Sequence, residues 1–371
     1  MSTFRFTRDG DDALEALLET TCREIGAEVA KIVPADKLQA LALGGGYGRG
    51  EGGVLKTASG DAPYNDLEFF LLIDGPPRLN EQRFGHAIHD YCHRMTEQLG
   101  IEVEIKITSL DAIANGPTSM FYYDLVEGHR IFAGPDDALA SCRHHADASR
   151  IPPHEATRLL MNRCSGLLYA KQRLAKKDFT REDADFVARN IAKAQLAMGD
   201  ALLAAHGRYH WSCLERHQRL QRTDATPELL AFHRDGVEFK LHPVSTTAAR
   251  DELAALHAKV TAAAWSVWRQ VEEKRLAKPF RTPADYAHDG NKCPETNALK
   301  NALIRLRTFG PKGLLARPFR YPREALLNSL PVLLWDSADA DPRWLSRQLV
   351  ASVATPADAI PAYQRLWERY N

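Results

Sequence analysis

Asp66 and Glu68 stand one residue apart in the stretch NDLEFFLLID, and a glycine-rich run, GGGYGRGEGG at 44–53, precedes them. On a β-strand, residues two apart leave the same face, so both carboxylates emerge together while Leu67 and Phe69 point the other way. Carboxylates that close repel one another, and a divalent cation is the usual way to keep both ionised. Mg²⁺ takes one or two carboxylates together with phosphate oxygens and water. Glycines allow backbone N–H groups to approach such phosphates, and Arg49 adds a fixed positive fork. The pattern predicts a site for a nucleoside triphosphate with Mg²⁺, or Mn²⁺ as the alternative cation.

A second acidic segment, IEVEIKITSL, alternates strictly, with Ile101, Val103, Ile105 and Ile107 on one face and Glu102, Glu104 and Lys106 on the other. If this strand neighbours the first, Glu104 or Glu102 completes a three-carboxylate cluster. Two metals held by such a cluster activate an attacking hydroxyl and stabilise the leaving oxygen.

The elements that must position these groups are legible as periodicity. Leu14, Leu17, Leu18, Ile25, Val29 and Ile32 form one helical stripe over 12–32, and the strand ALAL then runs into the glycine run. The run of apolar residues after Glu68 reads as a buried strand, 81–100 as a helix stopped by Gly100, and 101–110 as the alternating strand. This order implies an α/β unit with one mixed sheet. RIPPHE at 150–155 punctuates the chain, and helices are expected at about 154–177, 182–206 and 247–277, with 278–297 an irregular surface segment and the remainder helical. The expected fold class is α+β: a mixed sheet with flanking helices, followed by a mostly helical C-terminal region. The expected domains are 1–150, 151–280 and 281–371.

The chain has 371 residues with 48 Lys and Arg against 48 Asp and Glu, so no global field draws it to a polyanion and nucleic acid is not the expected partner. Six cysteines lie scattered without a CxxC pair or zinc-type spacing, which suits a reducing cytoplasm. An acidic N-terminus and no apolar run near the ~20 residues of a membrane span point away from export and membrane insertion. His144 and His145 read as part of a solvated polar run, Trp265 and Trp268 as packing residues of the long helix, and the basic stretch 297–325 as a solvated helix face.

GGGYGRGEGG followed by NDLEFFLLI resembles the signature of the nucleotidyltransferase superfamily with a DNA polymerase β-type palm. The Gly-Gly-Tyr-Gly-Arg-Gly-Glu form is similar to that of uridylyltransferases acting on a nitrogen-regulatory protein, and Asp-x-Glu to that of some aminoglycoside nucleotidyltransferases. The resemblance covers about residues 12–110. It implies that Gly45, Gly46, Arg49 and Gly50 meet the nucleotide phosphates, that Asp66 and Glu68 bind Mg²⁺, and that Glu104 is the third, catalytic carboxylate, with Glu102 the alternative. A weaker likeness of the helical region puts Lys193 at the triphosphate tail and Tyr209 near the base or acceptor. The implied activity is transfer of a nucleoside monophosphate to a hydroxyl of a small molecule or protein, releasing pyrophosphate. The alternative is a catalytically inactive nucleotide-binding or protein-interaction module of the same fold.

Overall fold

The computed structural model describes residues 4–315, 317–336 and 340–371. The chain divides into two compact units, Met1–Glu155 with His206–Ser245, and Ala156–Ala205 with Thr246–Asn371. The stretch expected as a second domain, 151–280, is therefore shared between the units.

In the first unit, α1 (Asp12–Ile32) starts at Asp11, whose carboxylate accepts the Leu14 N–H at 2.8 Å and satisfies one of the free donors of the first turn. Leu14, Leu18, Ile25 and Val29 are buried as expected, but Leu17 is 46% exposed, because consecutive helical residues are turned by about 100° and Leu17 falls outside the stripe set by Leu18. Then follow β1 (Leu38–Leu43), the single turn α2 (Gly45–Gly48), the hairpin β2 (Val54–Thr57) and β3 (Gly60–Pro63), β4 (Leu67–Ile73), α3 (Pro77–Leu99), β5 (Val103–Thr108), α4 (Leu110–Ala114), α5 (Met120–Glu127) and β6 (Arg130–Ala133).

The main sheet has the order β5-β4-β1-β6. β4 and β5 are parallel, joined through α3, while β1 runs antiparallel to both β4 and β6. The mixed sheet is thus present, with an edge strand, β6, that the sequence reading did not foresee. One face carries Leu41, Leu43, Phe69, Leu71, Val103 and Ile105, which pack with α1 and α3 residues such as Ile25 and Ile88. The other face carries Ala40, Ala42, Phe70 and Leu72, covered by Ile113, Leu125 and Cys142. His145, expected in a solvated run, is fully buried, with its Nε2 2.8 Å from the Ile113 carbonyl oxygen.

α6 (Pro153–Leu174) and α7 (Arg181–Ala205) carry the chain into the second unit, and α8 (Cys213–Gln221) and α9 (Pro227–Leu241) return it to the first. The second unit continues with α10 (Arg250–Leu276), α11 (Pro283–His288), α12 (Ala298–Phe309), α13 (Lys312–Leu315), α14 (Pro322–Leu334), α15 (Pro342–Leu349) and α16 (Pro356–Tyr370). Trp268 of α10 is fully buried and packs edge-on against Tyr286 and Trp335. Segment 278–297 departs from the expected irregular surface: it contains α11, and Tyr286 is fully buried with its hydroxyl donating to Glu272 at 2.8 Å. Glu272 also receives Arg275 Nη2 at 2.6 Å, so this buried carboxylate gathers a hydroxyl and a guanidinium that fix the segment. Among the described residues, no helix is long and apolar enough to cross a membrane.

Candidate functional site

The parallel register of β4 and β5 pairs Glu68 with Glu104 and Phe70 with Lys106. Strand alternation sends these four side chains to the face away from α1 and α3. Asp66 lies just before β4, exposed, two residues from Glu68. Lys106 Nζ sits 3.1 Å from Glu104 Oε2 and 5.8 Å from the centre of the Phe70 ring. Glu102 precedes β5, and its backbone carbonyl accepts the Leu67 N–H at 2.9 Å. The acid aligned with Glu68 is therefore Glu104.

Burial pushes the Glu68 carboxyl above the ordinary glutamate range; Lys106 and Arg49 pull against this, while Asp66 and Glu104 push it further up. The site carries more negative charge than its own cations offset.

The glycine run closes against this carboxylate. The Gly44 N–H donates to the Glu68 carbonyl at 2.8 Å. Gly45 has φ +61, and a Cβ there would lie 2.6 Å from Glu68 Oε2, so both its backbone and its neighbour exclude a side chain. Gly46 is the second residue of the same turn, and Gly50, at φ +70, lies against the Arg5 carbonyl.

Two residues that the sequence reading left as letters of the motif hold the run together. Tyr47 is fully buried; its hydroxyl donates to the Gly53 carbonyl at 3.0 Å and accepts the Tyr64 N–H at 2.9 Å, and burial pushes its pKa up to about 12. With Asn65 Oδ1 accepting the Gly53 N–H at 2.7 Å, the end of the run is fastened to the residues just before Asp66. Glu51, 1% exposed, accepts from Ser212 Oγ at 2.5 Å and the Cys213 N–H at 2.8 Å, and Lys240 Nζ donates to the Glu51 carbonyl at 3.0 Å. Burial alone would raise the Glu51 carboxyl, but the Lys240 charge and the Ser212 and Cys213 donors hold it below the ordinary value. This anchor ties 206–245 to the first unit, alongside the His242–Asp9 contact at 2.8 Å. The only sequence signal was an acid and an aromatic set among glycines.

Arg49 does not project freely. Its Nη1 lies 3.4 Å from Asp124 Oδ2, which also accepts the Tyr209 hydroxyl at 3.2 Å, so two residues expected at the nucleotide meet at a third that was not foreseen. The Arg49 side chain is 13% exposed, and its Nε is buried without a hydrogen-bond partner, a donor left available in a desolvated position. Lys193 is exposed on α7, in the second unit.

Among the described residues, no three His, Cys, Asp or Glu side chains are already gathered as a metal cage. Glu68 and Glu104 are aligned on adjacent strands with Asp66 just before the first, an open set of acids of the kind Mg²⁺ uses only when phosphate oxygens and water complete its coordination. Neither the known protein-family models nor the curated protein sequences contain a match to this chain.

Proposed function

We propose that this protein is a metal-dependent nucleotidyltransferase that moves a nucleoside monophosphate from a nucleoside triphosphate to a hydroxyl of a small molecule or protein, with release of pyrophosphate. The observation that supports it best is the alignment of Glu68 with Glu104 on adjacent strands, with the backbone of Gly45 held against the Glu68 carboxylate. Asp66 and Glu68, together with Glu104, would hold Mg²⁺ or Mn²⁺. When bound, the cation neutralises triphosphate charge and makes an acceptor hydroxyl a better nucleophile. The backbone of Gly45 and Gly46 receives the phosphates, Gly50, whose N–H donates to the Tyr47 carbonyl at 3.2 Å, shapes the loop through its positive φ, and the unsatisfied Arg49 Nε donates to a phosphate oxygen. Glu104 accepts the hydrogen bond of the acceptor hydroxyl and aims its oxygen. Such chemistry is mostly positioning and charge stabilisation, which rigid strands and a tightly fastened loop provide. A reducing cytoplasm suits the six unpaired cysteines.

The test is release of labelled pyrophosphate from ATP, GTP, CTP and UTP with Mg²⁺ or Mn²⁺, using cell extract as the acceptor pool. Turnover with a triphosphate that falls about 10³-fold in Asp66→Asn with the fold intact is the expected result. Equal turnover in wild type and Asp66→Asn would sink the reading.

One observation favours the inactive nucleotide-binding or interaction module: Lys106 already supplies a counter-charge to Glu104 at 3.1 Å. Nucleotide binding that needs no divalent cation and survives Asp66→Asn, with no turnover in any extract, would select that reading.

A further inference from the structure

The basic stretch 297–325 plays no part in the site above; Lys300 and Arg307 of α12 are exposed, as its composition suggests, but Asn301 and Arg305 turn inward. Within the second unit the stretch forms much of a cavity of about 320 Å³. Four guanidinium groups line this cavity, those of Arg305, Arg317, Arg320 and Arg347, against one carboxylate, Glu324. Four positive charges less one negative leave an excess of three.

The glutamate is already committed. Its Oε2 accepts the Lys292 N–H at 3.0 Å, while its Oε1 is buried, accepts no hydrogen bond, and stands 3.6 Å from Arg317 Nη1 and 3.9 Å from Arg320 Nε. Arg305 is 3% exposed and fixed by donation from its Nε to the Gly313 carbonyl at 3.0 Å. Arg347, exposed on α15, donates its Nε to the Arg343 carbonyl at 3.3 Å. Arg305 is buried, Arg320 half-buried, and Arg317 and Arg347 are exposed, so the crowding of like charge is most unfavourable at Arg305 and is relieved when an anion joins the four.

We infer that this cavity binds a phosphate-bearing small molecule. Its volume falls in the range of small-molecule pockets, too small for a nucleic-acid duplex. Planar guanidinium forks match phosphate oxygens two at a time. A single carboxylate would leave two charges in excess, whereas a phosphomonoester dianion or a pyrophosphate group offsets most of them. Trp344 lines the same cavity and gives a flat apolar wall for the ring or carbon skeleton attached to the phosphate. The cavity belongs to the second unit alone, so the inference is independent of the nucleotidyl-transfer reading.

The experiment is calorimetric titration of the full chain with inorganic pyrophosphate and with inorganic phosphate, in EDTA so that metal-dependent binding is silent. Saturable binding that weakens at least tenfold in Arg320→Gln/Arg347→Gln, and is unchanged in Arg343→Gln on the same helix, supports the site. If the double variant does not fold, Arg320→Lys/Arg347→Lys keeps the charge and removes the forks, and a several-fold weakening is expected. No binding by the wild type, affinity unchanged in the Lys variant, or binding of a single-stranded RNA oligomer without binding of pyrophosphate would each overturn the inference.

Discussion

Glu51 and Glu68 flank the same glycine run and are treated oppositely by the fold. Glu51 is buried with a hydroxyl, an amide N–H and the Lys240 ammonium around it, and its carboxyl titrates below the ordinary value. Glu68 is half-buried beside two further acids and titrates above it. A carboxylate whose lone pairs are all answered from within the protein does structural work. One that is crowded with like charge is held as an anion only by added positive charge.

The strongest way to break this contrast is at the satisfied acid. Glu51→Gln leaves the half-buried Lys240 ammonium without the carboxylate 3.9 Å away, which costs up to about 3–5 kcal/mol. Because the folded carboxyl lies below the ordinary 4.5, its contribution is complete above that value and is lost as pH falls through the lower folded value. Urea midpoints of wild type and variant should therefore differ at pH 7, and the gap should narrow as pH falls below 4.5. A gap under about 1 kcal/mol at pH 7 would mean that this pair does not anchor 206–245.

A smaller effect on stability, with a larger one on turnover, is expected at Gly45. An alanine at φ +61 costs about 1–2 kcal/mol, and its Cβ must displace the Glu68 carboxylate. Gly100 supplies the control, with φ +70 and nothing within 4 Å of the point where a Cβ would stand. Both Ala variants should lose similar stability, but only Gly45→Ala should lose pyrophosphate release, by about 100-fold, the usual consequence of a catalytic group moved by an ångström. Equal turnover in the two variants would separate Glu68 from the chemistry.

Periodicity made the local parts of this molecule readable. The stripe of α1, the buried run of β4 and the strict alternation of β5 each encode their own faces, and α6, α7 and α10 lie near their expected spans. What pattern could not carry were contacts between distant parts of the sequence. Glu51 meets Ser212 across 161 residues, and Tyr209 meets Asp124 across 85. The choice of Glu104 over Glu102 likewise depended on register, because alternation puts both acids on one face and only the pairing with Glu68 distinguishes them. Tyr47 was hidden for another reason: a lone aromatic among glycines has no periodicity, although its hydroxyl ties together the ends of the run. In the basic stretch 297–325 composition gave no direction to single side chains: Lys300 and Arg307 are exposed, whereas Arg305 points inward.

The smallest effect sharpens the comparison from the other side. Glu68 has a folded pKa above its unfolded value, so its protonated form is the one the fold favours. Its stabilising contribution is complete below the ordinary 4.5 and is lost as pH rises through the folded value; at pH 7 the ionised carboxylate weighs against folding. Glu68→Gln, which removes that charge, should raise the melting temperature at pH 7 by roughly 2–4 °C, corresponding to about 1 kcal/mol in a domain of this size. The gain should shrink as pH falls and vanish below 4.5, while pyrophosphate release is lost throughout. Mg²⁺ with a triphosphate should raise the wild-type melting temperature but not that of the variant, since the ligand relieves a repulsion that the glutamine no longer has. A variant that melts lower than wild type at pH 7 would show that Glu68, like Glu51, is already satisfied within the fold, and the contrast between the two acids would be gone.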